Sequence, residues 1–165
     1  MVNLIAFTDR HQAVRPLDEV VAAAVDGGAR LVVLREDDLP DEERFALAER
    51  LRALIGDRLV LTGVDYPGRF CHSLEELDAA RDAPFATLSP IYPTRSKPGY
   101  GPPLGLAALA RICGCVSIPV YALGGVDTPH RVRECLAQGA SGVAVMGAVM
   151  RATDPARTVK ELITW

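Results

Sequence analysis

The chain has 165 residues, with 18 Lys plus Arg against 21 Asp plus Glu and a formal net charge of −3. At 49% hydrophobic and 24% charged it can bury a sizeable core, and its mildly acidic balance gives no electrostatic case for a nucleic-acid or anionic-membrane partner. No apolar run approaches the ~20 residues of a membrane span, and MVNLIAFTDR has no basic region followed by a long apolar stretch, so one cytoplasmic domain over residues 1–165 is expected.

Strand-length apolar runs alternate with segments of helical periodicity, the pattern of βαβ units and a parallel sheet. NLIAF predicts a first strand ending at Thr8 and Asp9. Leu17, Val20, Val21, Ala24 and Val25 then recur at helical spacing, and GGA at 27–29 ends that helix before the strand RLVVL. A second helix carries acidic residues in its first turn and Leu47, Leu51, Leu54 and Ile55 on one face, and it leads into the strand RLVLTG.

SLEE at 73–76 has the spacing of a capping box, with Ser73 as N-cap and Glu76 reaching back to it. The helix it opens is followed by the strand FATLS, a 16-residue loop PIYPTRSKPGYGPPLG, a helix around Leu106, Leu109 and Ile112, and the strand PVYALGG. Thr128-Pro129 and Asp154-Pro155 each place a capping side chain before a proline, so helices start near 129 and 155. Between them lies the strand GVAVMG.

Six parallel strands are predicted, near 4–8, 30–35, 58–62, 85–89, 119–123 and 142–146. A parallel crossover needs a dozen or so residues, so 58–62 and 68–72 cannot be adjacent strands, and 68–72 is at most a short extension. The cysteines Cys71, Cys113, Cys115 and Cys135 show no CxxC spacing. Neither a disulfide framework nor a zinc site is indicated, and the Cys113 and Cys115 pair reads as small buried residues at a helix end.

In a β/α array the functional face lies at the C-terminal ends of the strands. Gly124 and Gly125, and Met146 and Gly147, stand at strand ends ahead of helices, where backbone N–H groups could hold a phosphate or where glycine merely permits a tight turn. The long loop adds Thr94, Arg95, Ser96 and Lys97, two hydroxyls and two cations. A connection of that length inside a compact domain reads as an active-site loop. His72 could be a general base or a capping-region histidine, His11 could approach a substrate, and His130 is expected in solvent. Asp9 and Glu36 are expected in ion pairs with arginines such as Arg10 and Arg35.

Taken in order, FTDR, VVLRE, SPIYPTRSKPGYGPPLGL, PVYALGGV and GASGVAVMGAVMRATDP resemble segments of the thiamine phosphate synthase/TenI superfamily of (β/α)₈ barrels. The resemblance implies an α/β fold, a TIM-like barrel shortened to about six to seven parallel strands. In such synthases a thiazole phosphate is alkylated by a pyrimidine cation formed as Mg²⁺-bound pyrophosphate departs. The resemblance then implies that Arg35 and Lys97 contact pyrophosphate, that Thr94 and Ser96 help place the substrates, and that the backbone at Gly124, Gly125, Met146 and Gly147 holds the thiazole phosphate. Lys97 and His72 are the catalytic candidates.

The departures from the family pattern fall together. Asp37 stands where the family has a lysine, Leu61 and Thr62 where it has Asn-Asp, and Phe70 where it has a serine. The unit with the second metal aspartate has no counterpart between 66 and 67. These losses remove the half of the site that handles Mg²⁺ and pyrophosphate, so no cofactor is expected unless synthase activity is retained. Three functions stay open: a synthase-like protein of thiamine biosynthesis, a metal-independent thiazole tautomerase, and a non-catalytic binder of a phosphorylated ligand. The tautomerase histidine would fall at Pro90, a further departure. The missing units are expected to expose barrel interior along the strands near 60 and 86, to be covered in a homo-oligomer.

Overall fold

The structure, a computed structural model, describes residues 1–96, 99 and 101–165. In chain order the elements are β1 (Leu4–Phe7), α1 (Leu17–Asp26), β2 (Leu31–Leu34), α2 (Asp41–Ile55), β3 (Leu59–Leu61), β4 (Arg69–Cys71), α3 (Leu74–Ala79), β5 (Ala86–Leu88), α4 (Gly105–Cys115), β6 (Val120–Leu123), α5 (Pro129–Ala137), β7 (Gly142–Val145), α6 (Gly147–Met150) and α7 (Pro155–Ile163). They fall into two compact units.

The first unit comprises Asn3–Tyr66 and Met146–Trp165. Its three strands run parallel, with Phe7 opposite Val33 and Leu34 opposite Leu61. Every residue of β1 is buried, as continuous apolar strands require when a parallel sheet is covered on both faces. Val20, Val21 and Ala24 of α1 and Val159, Leu162 and Ile163 of α7 are buried with them, each large side chain contributing about 1.5–3 kcal/mol. On α2, Leu47, Ala48 and Leu51 face inward. Leu54, expected on that face, is exposed.

The free edge of β3 is closed by its own chain. Leu59 N–H donates to the Gly56 carbonyl, Leu61 N–H to Asp65 Oδ1 at 2.5 Å, and the Leu61 carbonyl accepts from the N–H groups of Val64, Asp65 and Tyr66. Arg52 holds Asp65 in place at 2.8 Å. An edge satisfied in this way offers little for another strand to pair with.

The second unit is Pro67–Val145, where the strand order is β7-β6-β5-β4, all parallel. The segment 68–72 is therefore more than an extension: Arg69–Cys71 is a seventh strand, with Phe70 opposite Thr87. The crossover limit holds because β4 pairs with β5, across the intervening residues 72–85, and not with β3. Leu59, Leu61, Ala86 and Leu88, on the strands expected to expose barrel interior, are all at most 2% exposed.

Local signals hold with small changes. Ser73 caps α3 by accepting from Glu76 N–H, but Glu76 reaches back to the N–H of His72, one residue earlier than the capping box expects. Thr128 and Asp154 cap α5 and α7. Of the cysteines, Cys71 and Cys135 are buried, whereas Cys115, expected buried, is exposed.

Candidate functional site

The strand ends of the first unit carry charge that closes on itself. Thr8, fully buried at the end of β1, accepts from the Arg35 N–H at 3.0 Å and so ties the ends of β1 and β2. Glu36 is 1% exposed. It accepts from both the backbone N–H and the guanidinium of Arg10, each at 2.8 Å. The same guanidinium forks onto Asp38, and His11 Nε2 lies 2.9 Å from that carboxylate. Arg10, with His11 second, holds the Asp38 carboxyl well below the usual carboxylate range. Glu36 thus pairs as expected. Asp9 instead accepts from Gln12 Nε2 and the His11 N–H.

Asp37, which stands in place of the family lysine, accepts from Thr62 Oγ1 at 2.5 Å and from Arg44 at 3.0 Å. Arg44 also donates to the Thr62 carbonyl. Met146 and Gly147 open α6, where the Arg151 guanidinium lies against Gly147 and donates to Gln12. Asp37 and Asp65 are both engaged by arginines, and among the described residues no three His, Cys, Asp or Glu side chains converge as metal ligands.

In the second unit, His72 follows β4 and Ser89 follows β5. His72 Nδ1 lies 2.9 Å from the Ser89 carbonyl. A carbonyl only accepts, so Nδ1–H donates to it, and the Ser89 hydroxyl lies 3.3 Å from the same nitrogen. An imidazole is thereby brought to the residue just before Pro90, from the neighbouring strand.

Gly124 and Gly125 follow β6 with φ of +94° and +68°, a region only glycine enters readily. The base of the long loop lies against them. A Cβ on Gly124 would meet Pro90 Cα at 2.8 Å, and one on Gly125 would meet the Pro93 carbonyl at 2.5 Å. Ile91 N–H donates to the Leu123 carbonyl and Tyr92 N–H to that of Gly124, both at 3.0 Å, while Leu104 and Gly105 N–H groups return to the carbonyls of Pro90 and Ile91. These glycines are therefore needed for close approach of the loop as well as for the turn. Thr94 and Ser96 follow on that base, the Ser96 N–H donating to Thr94 Oγ1. Lys97 lies outside the described residues.

Sequence reasoning missed the side chains that fix these parts. Tyr92 donates to Glu134 Oε2 at 2.8 Å and lies under the Arg131 guanidinium, 4.7 Å from the ring centroid. Burial, then the bond to Glu134, raises the Tyr92 phenol above its usual range. The only sequence signal for Tyr92 is its place at the mouth of a long loop. Arg44 and Arg131 sit among polar helix residues with nothing to mark them, and Arg151 directly follows the short apolar helix α6.

The family described as thiamine monophosphate synthase matches residues 68–149. A Geobacter sulfurreducens protein, named provisionally as a thiamine-phosphate synthase, is 35% identical over 98% of this chain and 92% of its own length. That alignment runs over 198 positions, more than the 165 residues here, so the relative carries segments this chain lacks. A thiamine-phosphate synthase from Roseiflexus sp. is 31% identical over 94% of this chain and 81% of its own length. Among solved structures, thiamine phosphate pyrophosphorylase from Pyrococcus furiosus superposes with a TM-score of 0.78 at 27% identity, covering 98% of this chain and 93% of the other.

Proposed function

The chain belongs to the thiamine monophosphate synthase/TenI family, with the α/β fold of a shortened TIM-like barrel, and from that premise we propose that it binds a thiazole phosphate and has lost efficient synthase chemistry. The observation that supports the binding half best is the β6–α5 turn, two positive-φ glycines with the base of the long loop laid against them. In this reading the turn amides take phosphate oxygens, the nine-residue helix α5 adds its positive end, and Thr94, Ser96 and Lys97 close on the ligand from the loop. Met146 and Gly147, which open α6 in the first unit, are the second candidate turn, with the Arg151 guanidinium supplying positive charge beside Gly147.

Loss of the synthase half follows from electrostatics. A departing pyrophosphate needs cations and metal to stabilise its developing charge. Asp37 places an anion there instead, and the nearby Arg44 is already engaged by it and by the Thr62 carbonyl. Binding energy alone does not replace that stabilisation.

A second reading, a thiazole tautomerase, is favoured by the position of His72, whose Nδ1 is oriented by the Ser89 carbonyl at 2.9 Å and the Ser89 hydroxyl at 3.3 Å. Proton transfer of this kind needs a positioned base and a phosphate grip but no metal. Calorimetric titration with 4-methyl-5-(2-hydroxyethyl)thiazole phosphate in EDTA tests the common part. Saturable, metal-independent binding is expected, and no heat at millimolar ligand would overturn the reading. Added tautomerase substrate distinguishes binder from enzyme, with His72→Ala abolishing turnover if His72 is the base.

A further inference from the structure

We infer that Tyr92, held by Glu134 and Arg131, is a positioning residue that sets the base of the long loop over the Gly124–Gly125 turn and thereby makes the site selective for an organic phosphate over free phosphate. The inference rests on the proposed phosphate reading of that turn and adds to it the residue that controls the loop.

Three observations carry it, all within the second unit. Tyr92 is bound at both ends: its N–H donates to the Gly124 carbonyl at 3.0 Å, and its hydroxyl donates to Glu134 on α5 at 2.8 Å. Arg131 couples ring and turn, because its guanidinium lies over the Tyr92 ring while Nη1 donates to the Gly125 carbonyl and to Asp127, each at 2.8 Å. The approach is also close enough to exclude any other side chain at the turn, since a Cβ on Gly125 would lie 2.7 Å from Tyr92 Cβ. Tyr92 is two residues from Thr94 and four from Ser96, so whatever fixes its ring fixes where those hydroxyls start. Cation–π contact and a hydrogen bond to an ionised acceptor are each strong enough to matter to a loop base.

A phosphate ion needs only the turn, which Arg131 holds without the Tyr92 hydroxyl. An organic phosphate also presents its other groups to the loop. Removing the hydroxyl therefore acts on one ligand and not on the other, a difference that a general loss of stability would not produce.

The test compares Tyr92→Phe, Glu134→Leu and Glu134→Gln with the unaltered protein, using the thiazole phosphate above and inorganic phosphate as probes and hydrogen exchange at the Tyr92 and Leu104 amides. Tyr92→Phe and Glu134→Leu should weaken the thiazole phosphate roughly fivefold, the scale of one net hydrogen bond, leave inorganic phosphate within about twofold, and speed exchange at both amides. Glu134→Gln, which keeps an acceptor, should restore most of the difference. Equal weakening of both ligands, or no change in either binding or exchange with Tyr92→Phe, overturns the inference. If the unaltered protein binds neither ligand, the phosphate reading fails, and selectivity fails with it.

Discussion

The strand ends of the two units solve opposite problems. In the first, Arg10 pairs with Glu36 and Asp38, and Arg44 and Thr62 both engage Asp37, so much of a dense set of charges is already paired, although Arg44 Nε is buried without a partner. In the second, a glycine turn is covered by the base of a long loop, and the fixed elements are backbone carbonyls, an aromatic ring and its two partners. Abundance of charged residues is thus a poor guide to a binding site. What matters is which groups the fold has already paired and buried: Glu36, 1% exposed, is costly to redirect, whereas the exposed Asp37 and Asp38 are held far less firmly.

The largest effect that would sharpen this contrast is expected at the turn. Gly125→Val meets the Pro93 carbonyl and the Tyr92 side chain and forces a valine to φ near +68°. It should cost about 2–4 kcal/mol in denaturant unfolding and remove thiazole phosphate binding with it. Full stability would show that the loop base does not need the cradle. In the first unit Glu36→Leu leaves the Arg10 guanidinium with Asp38 alone, and it should cost about 2–3 kcal/mol with little change in ligand binding. Lost binding without lost stability would instead make Glu36 part of the site.

A smaller effect is expected at the β3 edge. Asp65→Ala removes the acceptor of the Leu61 N–H and should cost about 1 kcal/mol while increasing self-association in sedimentation velocity. An unchanged sedimentation profile would show that the Val64–Tyr66 turn closes the edge alone.

The smallest effect concerns pH. The Asp38 carboxyl is held below its usual 3.8, first by Arg10 and then by His11. Its folded value is depressed, so the stability it contributes is complete above pH 3.8 and lost as pH falls below that. The Tm difference between the protein and Asp38→Asn should shrink as pH falls below about pH 4. A difference that grows in acid would contradict the pairing.

Six of the seven strands were legible because each is an apolar run bounded by a turn or cap. Arg69–Cys71 was not, since two of its three residues face solvent and the crossover argument tested only its pairing with β3. The glycines 124 and 125 were legible as special positions, yet their crowding by Pro90, Tyr92 and Pro93 was not. That contact joins segments more than thirty residues apart, and no local pattern encodes it. Arg44 reaches Asp37 and Thr62 over only 7 and 18 residues, yet no pattern in the polar first turns of α2 singles it out from its neighbours. Leu54 misled because helical spacing alone does not say where a neighbouring element ends.

On the proposed reading, the chain keeps its grip on the thiazole phosphate and has lost the stabilisation of the departing pyrophosphate. The most direct test supplies the purified protein with the pyrimidine pyrophosphate and the thiazole phosphate, with and without Mg²⁺, and measures thiamine phosphate formed beside thiazole phosphate binding in the same preparation. The account predicts binding in both conditions and no Mg²⁺-dependent product above the uncatalysed rate. Robust Mg²⁺-dependent turnover would contradict it, and would mean that Asp37 or Asp65 leaves its arginine to serve the metal.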